Sequence, residues 1–208
     1  PLITVIVASI GGIYLGVFTP VEAAGVGAAL VILMALIGRK LDKASTIKAV
    51  SDTIRTTAML YLIIIGANLL NPFLALTHVP ATLGEVMTSA GLGRYGVLLL
   101  IILSYLLLGM FMDGLAMLVV TIPIFFPIIT GLGFDPIWFG VIAVIVIEMG
   151  MITPPVGLNV FVVKSVAGDV PMATIFRGVL PFWFAMAACL ILIVLFPQIA
   201  LLIPQAMF

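Results

Sequence analysis

The chain has 208 residues, 64% of them hydrophobic and 8% charged, with a mean hydropathy of +1.46. No soluble domain needs that much apolar surface, so the composition excludes a water-soluble enzyme and reads as an all-α polytopic membrane protein set in a lipid bilayer. Eight basic and eight acidic residues cancel to zero net charge, which gives no attraction for nucleic acid.

Leu2 to Phe18 is apolar and about long enough to cross, and Gly11, Gly12 and Gly16 suggest close helix contact. No initiator Met or basic region precedes it, so it does not read as a signal peptide, and the chain is expected to be a piece of something longer. Thr19-Pro20-Val21-Glu22 has the order of a capping box, with Thr at the N-cap, Pro at the first helical position and Glu at the third. It predicts a helix running to Ile37, with Gly25, Ala28 and Ala29 as its small faces. Arg39, Lys40, Lys43, Lys48 and Arg55 crowd the next segment, which the positive-inside rule places in the cytoplasm. Leu41, Ile47, Val50 and Ile54 recur among these charges at helical spacing, predicting an amphipathic arm over about 41–57 at the interface.

Ala58 to Leu70 re-enters as an apolar run interrupted by Asn68, Asn71 and Pro72, so a kinked or broken span is expected there, with the two asparagines stitching it to its neighbours. His78 reads as an exposed loop residue beside Pro80. Thr82 to Leu92 reads as a short outer helix carrying Glu85, Thr88 and Ser89. Two stretches then place helix-breaking chemistry inside otherwise apolar sequence. The first is GMFMDG, Gly109 to Gly114, between the runs Tyr95–Phe111 and Leu115–Ile129. The second is ITPPVGLN, Ile152 to Asn159, between Ile137–Ile147 and Val160–Val163.

Backbone that leaves the helix at membrane depth survives only where protein or a water-filled cavity lines it, so both breaks point to a site. Tyr95 to Ile129 has two readings, one long span or a re-entrant hairpin. The hairpin places every basic residue except Arg94 on one side, whereas a simple crossing would strand Lys164 and Arg177 outside. Gly168-Asp169-Val170-Pro171 reads as a cytoplasmic turn and Leu180 to Leu195 as the last crossing. Cys189 is alone, so no intrachain disulfide exists.

GVFTPVEA, GMFMDG, the FDP turn and ITPPVGLN, in this order and spacing, make the chain resemble the large membrane subunit of a tripartite ATP-independent periplasmic (TRAP) transporter, specifically its C-terminal half. The resemblance implies one of two inverted repeats, with a re-entrant helical hairpin, a discontinuous transmembrane helix and an elevator-type ion-transporter fold. On that pattern 1–92 holds scaffold-type helices and the arm, 93–168 the transport-type hairpin and broken helix, and 169–208 an amphipathic segment and the last span. It further implies sodium-coupled import of an organic acid, such as a dicarboxylate or sialic acid, across the bacterial inner membrane. The implied partners are a periplasmic substrate-binding protein, a small membrane subunit and the first repeat of the large subunit. Sodium enters as coupling ion, and no cofactor is implied.

Asp113 is the leading site residue, because an ionisable group inside a span is costly and usually functional. Alternatively it caps the second hairpin arm by accepting from Ala116 or a neighbour, and the two roles can coexist. Thr153 offers a hydroxyl where Pro154 and Pro155 leave earlier carbonyls free, and oxygen-only ligands suit a hard cation such as sodium. A kink with Thr153 bonded back to a carbonyl is the simpler reading. The expected sodium set is Gly109, Asp113 and Gly114 at the tip with Thr153, Val156 and Gly157 at the break, and the expected substrate contacts are Asp113 and Asn159.

Asn159 either orients substrate or braces the hairpin, and Glu148 either lines the cavity or makes a structural hydrogen bond. Glu22 reads as a cap, and Trp138 and Trp183 as interface anchors or packing. Three rivals stand beside the sodium-coupled reading: another inverted-repeat anion carrier, a proton-coupled carrier, and a membrane scaffold with no site. An intramembrane enzyme is disfavoured, since the spans show no Ser/His, paired-Asp or HExxH arrangement.

Overall fold

The computed structural model describes residues 2–39, 41–78, 82–86 and 91–207. Among them the regular structure is helical: α1 Leu2–Tyr14, α2 Pro20–Ile37, α3 Lys43–Thr77, α4 Arg94–Gly109, α5 Gly114–Gly131, α6 Pro136–Met151, α7 Leu158–Ala167, α8 Met172–Leu195 and α9 Gln198–Met207. A short helical stretch also occupies 82–86, while Lys40, Pro80, Thr88 and Ser89 lie outside the described residues. Four of the described helices, α2, α3, α5 and α8, are long and apolar enough to cross a membrane. The fold is therefore all-α and polytopic, as composition predicts. The chain divides into two compact units, one ending at Met59 and one from Leu60 to Ala206.

In the first unit the capping box forms as read. Thr19 N donates to Glu22 Oε2 at 2.8 Å and Glu22 N donates to Thr19 Oγ1 at 3.3 Å, which satisfies two of the amide groups that a helix start leaves bare. Only Ala23 of α2 is buried, so an apolar helix presents nearly all its side chains outward, as one facing lipid does. The contact with α1 is made by Gly27 rather than by the expected Gly25. A Cβ on Gly27 would stand 2.9 Å from Ser9 Oγ, whereas one on Gly25 meets nothing within 4 Å. The first helix stops at Tyr14 instead of reaching Phe18. Gly16 takes φ +69°, and the amides of Val17 and Phe18 turn back to the Gly12 carbonyl at 2.9 and 3.1 Å, laying the Phe18 ring over Gly12.

The expected break near Asn68 does not occur. α3 runs without interruption from Lys43 through Pro72 to Thr77, joining the polar arm and the apolar span in one helix. Asn68 is exposed and its side chain makes no hydrogen bond among the described residues, and the side chain of Asn71 lies outside them. His78 ends the helix at φ +51° and is exposed, as read.

The second unit is organised around α6. This helix is apolar on almost every face and buries Trp138, Phe139, Ile142, Ala143, Val146, Ile147, Met149 and Gly150. Val97, Leu98, Ile101 and Tyr105 of α4, Met117 and Ile129 of α5, and Leu190 and Ile193 of α8 complete this core. Asp135 starts α6 by accepting from Ile137 N at 2.8 Å and Trp138 N at 3.0 Å, with Pro136 in the first turn where its missing N–H is not needed. Both tryptophans resolve to packing with satisfied indoles: Trp138 is 2% exposed and donates to the Ile193 carbonyl at 2.8 Å. At the far end of α7, Lys164 Nζ donates to the carbonyls of Gly168 and Val170 at 2.6 and 2.8 Å, closing the turn into α8. The last span begins at Met172, a little over two turns before the expected Leu180, and carries Pro181 without breaking.

Candidate functional site

Both sequence breaks are non-helical, and they meet. α4 ends at Gly109 and α5 begins at Gly114, so Met110 to Asp113 form the tip of an antiparallel hairpin. The arms are pinned eight residues either side of the tip aspartate, where Tyr105 Oη and Thr121 Oγ1 lie 3.0 Å apart and buried. Thr121 sends its proton to the Met117 carbonyl at 2.7 Å, so the Tyr105 phenol is the donor across the gap. The Tyr105 and Phe125 rings meet edge to face at 5.3 Å.

α6 ends at Met151 and α7 begins at Leu158, which leaves the Thr-Pro-Pro segment outside either helix. Neither proline carries an amide donor. Among the described residues the carbonyls of Ile152 through Val156 accept no hydrogen bond, and at the hairpin tip those of Phe111 and Met112 accept none. One bond ties the two segments together. Gly157 N donates to the Met110 carbonyl at 3.3 Å, from a buried position at φ +62° that glycine tolerates and other residues resist.

The expected site residues divide by what surrounds them. Gly109 is buried against Gly150, where a Cβ would meet Gly150 Cα at 3.0 Å, and Gly114 sits against Ile147 and Met151. These two glycines allow close packing around the tip. Asp113 is half-buried and caps α5, its Oδ1 accepting from Leu115 N at 3.1 Å and Ala116 N at 3.3 Å. Thr153 Oγ1 donates to the Met149 carbonyl and accepts from the Trp183 indole at 3.0 Å, so the back-bonded arrangement is the one observed. That leaves the hydroxyl oxygen one unused lone pair. Val156 and Gly157 lie in the stretch between the half-helices, and Asn159 Nδ2 reaches across it to Glu148 Oε2 at 3.4 Å. Glu148 is exposed on α6.

Helix ends of both kinds converge here. The C-terminal ends of α4 and α6 direct bare carbonyls toward the breaks and favour a cation, whereas the N-terminal ends of α5 and α7 favour an anion. Asp113 caps α5; α7 starts from Gly157 with no side-chain cap.

Residues 1–199 match the family model described as tripartite ATP-independent periplasmic transporter, DctM component. The chain belongs to this family. It is 35% identical over 197 residues to the sialic acid TRAP transporter large permease protein SiaM of Vibrio cholerae, a match covering 94% of this chain and 46% of the relative. It is 37% identical over 197 residues to the C4-dicarboxylate TRAP transporter large permease protein DctM of Pseudomonas aeruginosa, with the same two coverages. The ectoine TRAP transporter large permease protein TeaC of Halomonas elongata is 30% identical over 200 residues, covering 96% of this chain and 47% of the relative. The chain thus spans a little under half the length of each of these three relatives.

Within this TRAP family chain, sequence reasoning missed Gly150, the Met110 carbonyl and the Thr153 bond of Trp183. Gly150 carried no local signal, since it ends an apolar helix and acquires meaning only through Gly109. A carbonyl has no residue identity to read. Trp183 stood within an apolar run, where an aromatic reads first as packing.

Proposed function

We propose that the chain is one half of a sodium-coupled secondary transporter of the elevator type, whose hairpin tip and broken helix hold the coupling ion beside an anionic substrate. The bond from Gly157 N to the Met110 carbonyl carries this reading, because it brings together two non-helical segments whose remaining carbonyls, Phe111, Met112 and Ile152 through Val156, accept no hydrogen bond among the described residues. Sodium takes the carbonyls between Ile152 and Val156 and the remaining lone pair of Thr153, with Asp113 supplying the negative charge. Oxygen-only shells of this kind are what hard cations select, and no group of three His, Cys, Asp or Glu able to hold a transition metal occurs among the described residues.

The substrate is an organic acid whose carboxylate meets the uncapped start of α7 and the Asn159 amide. Import by the whole protein then proceeds with a periplasmic binding protein delivering substrate, a small membrane subunit bracing the scaffold, and the other half of the large subunit completing the site in the bacterial inner membrane. Scaffold-type residues 1–92, transport-type residues 93–168 and the C-terminal segment 169–208 divide the labour on this reading. The relatives support transport over catalysis, since those quoted carry permease names, one for sialic acid, one for C4-dicarboxylates and one for ectoine.

The test is uptake of an organic acid by proteoliposomes of the complete transporter with and without a sodium gradient. A sodium half-saturation raised well above that of the parent protein by Thr153→Ala, and sodium-driven uptake lost on Asp113→Ala, are the expected results; uptake indifferent to both substitutions rejects the site. A proton-coupled carrier is the second reading, favoured by one observation, the exposed Glu148 carboxylate in an apolar helix. Uptake that follows a pH gradient and ignores sodium would select it.

A further inference from the structure

We propose that Trp183 is a positioning residue for the coupling-ion site, acting through the hydroxyl of Thr153. The inference rests on the sodium reading above and adds to it a residue from a third element, α8. Thr153 Oγ1 makes two hydrogen bonds, and they have opposite sense. It donates its single proton to the Met149 carbonyl one turn back, and it accepts the Trp183 Nε1 proton at 3.0 Å. With the proton and one lone pair committed, the direction of the last lone pair is fixed.

Without the indole, the hydroxyl keeps its bond to Met149, but nothing selects which of its two lone pairs faces the break. A threonine that ligands a cation needs that selection, since a misdirected ligand oxygen loses most of its value at a hard-ion site, and outer partners of ligands are what supply it. The indole is held for the purpose. Trp183 packs edge to face with Phe184 at 5.4 Å, and its ring forms a wall of a cavity of about 320 Å³ shared with Thr153, Pro154, Phe176 and Leu180. The lining has Thr153 on one side and α8 on the other, so a shift of α8 moves the donor away from the hydroxyl. That makes Trp183 the point at which the last span senses, and is sensed by, occupancy of the break.

The experiment is a double-mutant cycle on sodium half-saturation of uptake by the complete transporter, with Trp183→Phe, Thr153→Val and both together. Phenylalanine keeps an aromatic ring and removes the donor together with part of the ring's bulk, and the Thr153→Val background separates the two losses. Trp183→Phe is expected to raise the sodium half-saturation concentration about five- to tenfold, the weight of one net hydrogen bond, and to act on sodium affinity rather than on maximal rate. In the Thr153→Val background, where the acceptor is gone, the same substitution is expected to add less than twofold. A purely structural tryptophan would instead give the same change in both backgrounds, which overturns the proposal. So does an unshifted half-saturation in Trp183→Phe while the parent protein remains sodium-dependent. A parent protein with no sodium dependence overturns the sodium reading itself, and this outcome is distinct from the other two.

Discussion

Gly109 and Gly150 meet backbone to backbone: a Cβ on Gly150 would stand 2.8 Å from Gly109 Cα and 3.0 Å from the Leu106 carbonyl oxygen. In lipid, helix association gains little from the hydrophobic effect and depends on close packing, so a crossing this tight locks α4 to α6 directly behind the hairpin tip. Alanine at Gly109 or Gly150 must push the helices apart, at a cost of about 1–3 kcal/mol. Thermal unfolding of the purified full-length subunit in detergent should show both variants destabilised. Gly25→Ala, with nothing within 4 Å of the added carbon, should be neutral or slightly stabilising.

Asp113 separates two roles by substitution. Asparagine still accepts from Leu115 N and Ala116 N, whereas alanine cannot. Loss of the cap should therefore cost Asp113→Ala about 1 kcal/mol of stability, with Asp113→Asn close to the parent protein. If the charge serves the cation, both variants lose sodium-driven uptake, and the asparagine variant does so while remaining stable. Full uptake in Asp113→Asn would leave the residue as a cap alone.

Gly157 is held at φ +62°, and a Cβ there would lie 3.2 Å from both the Thr153 carbonyl oxygen and Phe176 Cε1. Gly157→Ala should destabilise the protein by about 1–2 kcal/mol from the left-handed backbone alone. It should also weaken the bond to Met110, so uptake is expected to fall by more than stability explains. Equal uptake at permissive temperature would show that the tip and the break need not be joined.

Tyr105 and Thr121 pin the hairpin arms. Removing the phenol in Tyr105→Phe should cost about 0.6–1.5 kcal/mol, the range for one hydrogen bond inside a membrane protein. The penalty should shrink in a Thr121→Val background, as read by thermal unfolding of single and double variants. A full penalty in both backgrounds would mean that the pair contributes packing only.

What the sequence made legible follows the range of the physics involved. Thr19 and Glu22 lie three residues apart and bond to each other, so their capping box is readable without any knowledge of the rest of the chain. The hairpin tip and the Thr-Pro-Pro break are likewise local, because Gly and Pro act on their own backbone. Pro72 shows the limit of that logic: the helix passes through it, with Asn68 exposed beside it. Proline removes one bond but does not oblige the chain to stop. The pairings that shape the site, Gly109 with Gly150, Gly157 with Met110 and Trp183 with Thr153, join residues at least 30 positions apart, and no periodicity encodes them.

The most direct measurement of the central claim is ion-specific stabilisation of the full-length subunit. A ligand that binds only the folded state raises the unfolding temperature in proportion to the logarithm of its concentration above Kd. Sodium chloride should raise the unfolding temperature more than potassium or choline chloride at equal ionic strength, and Thr153→Ala should shrink the difference. Equal unfolding temperatures in all three salts for the parent protein, or an undiminished sodium effect in Thr153→Ala, would contradict a cation site where the hairpin tip meets the broken helix.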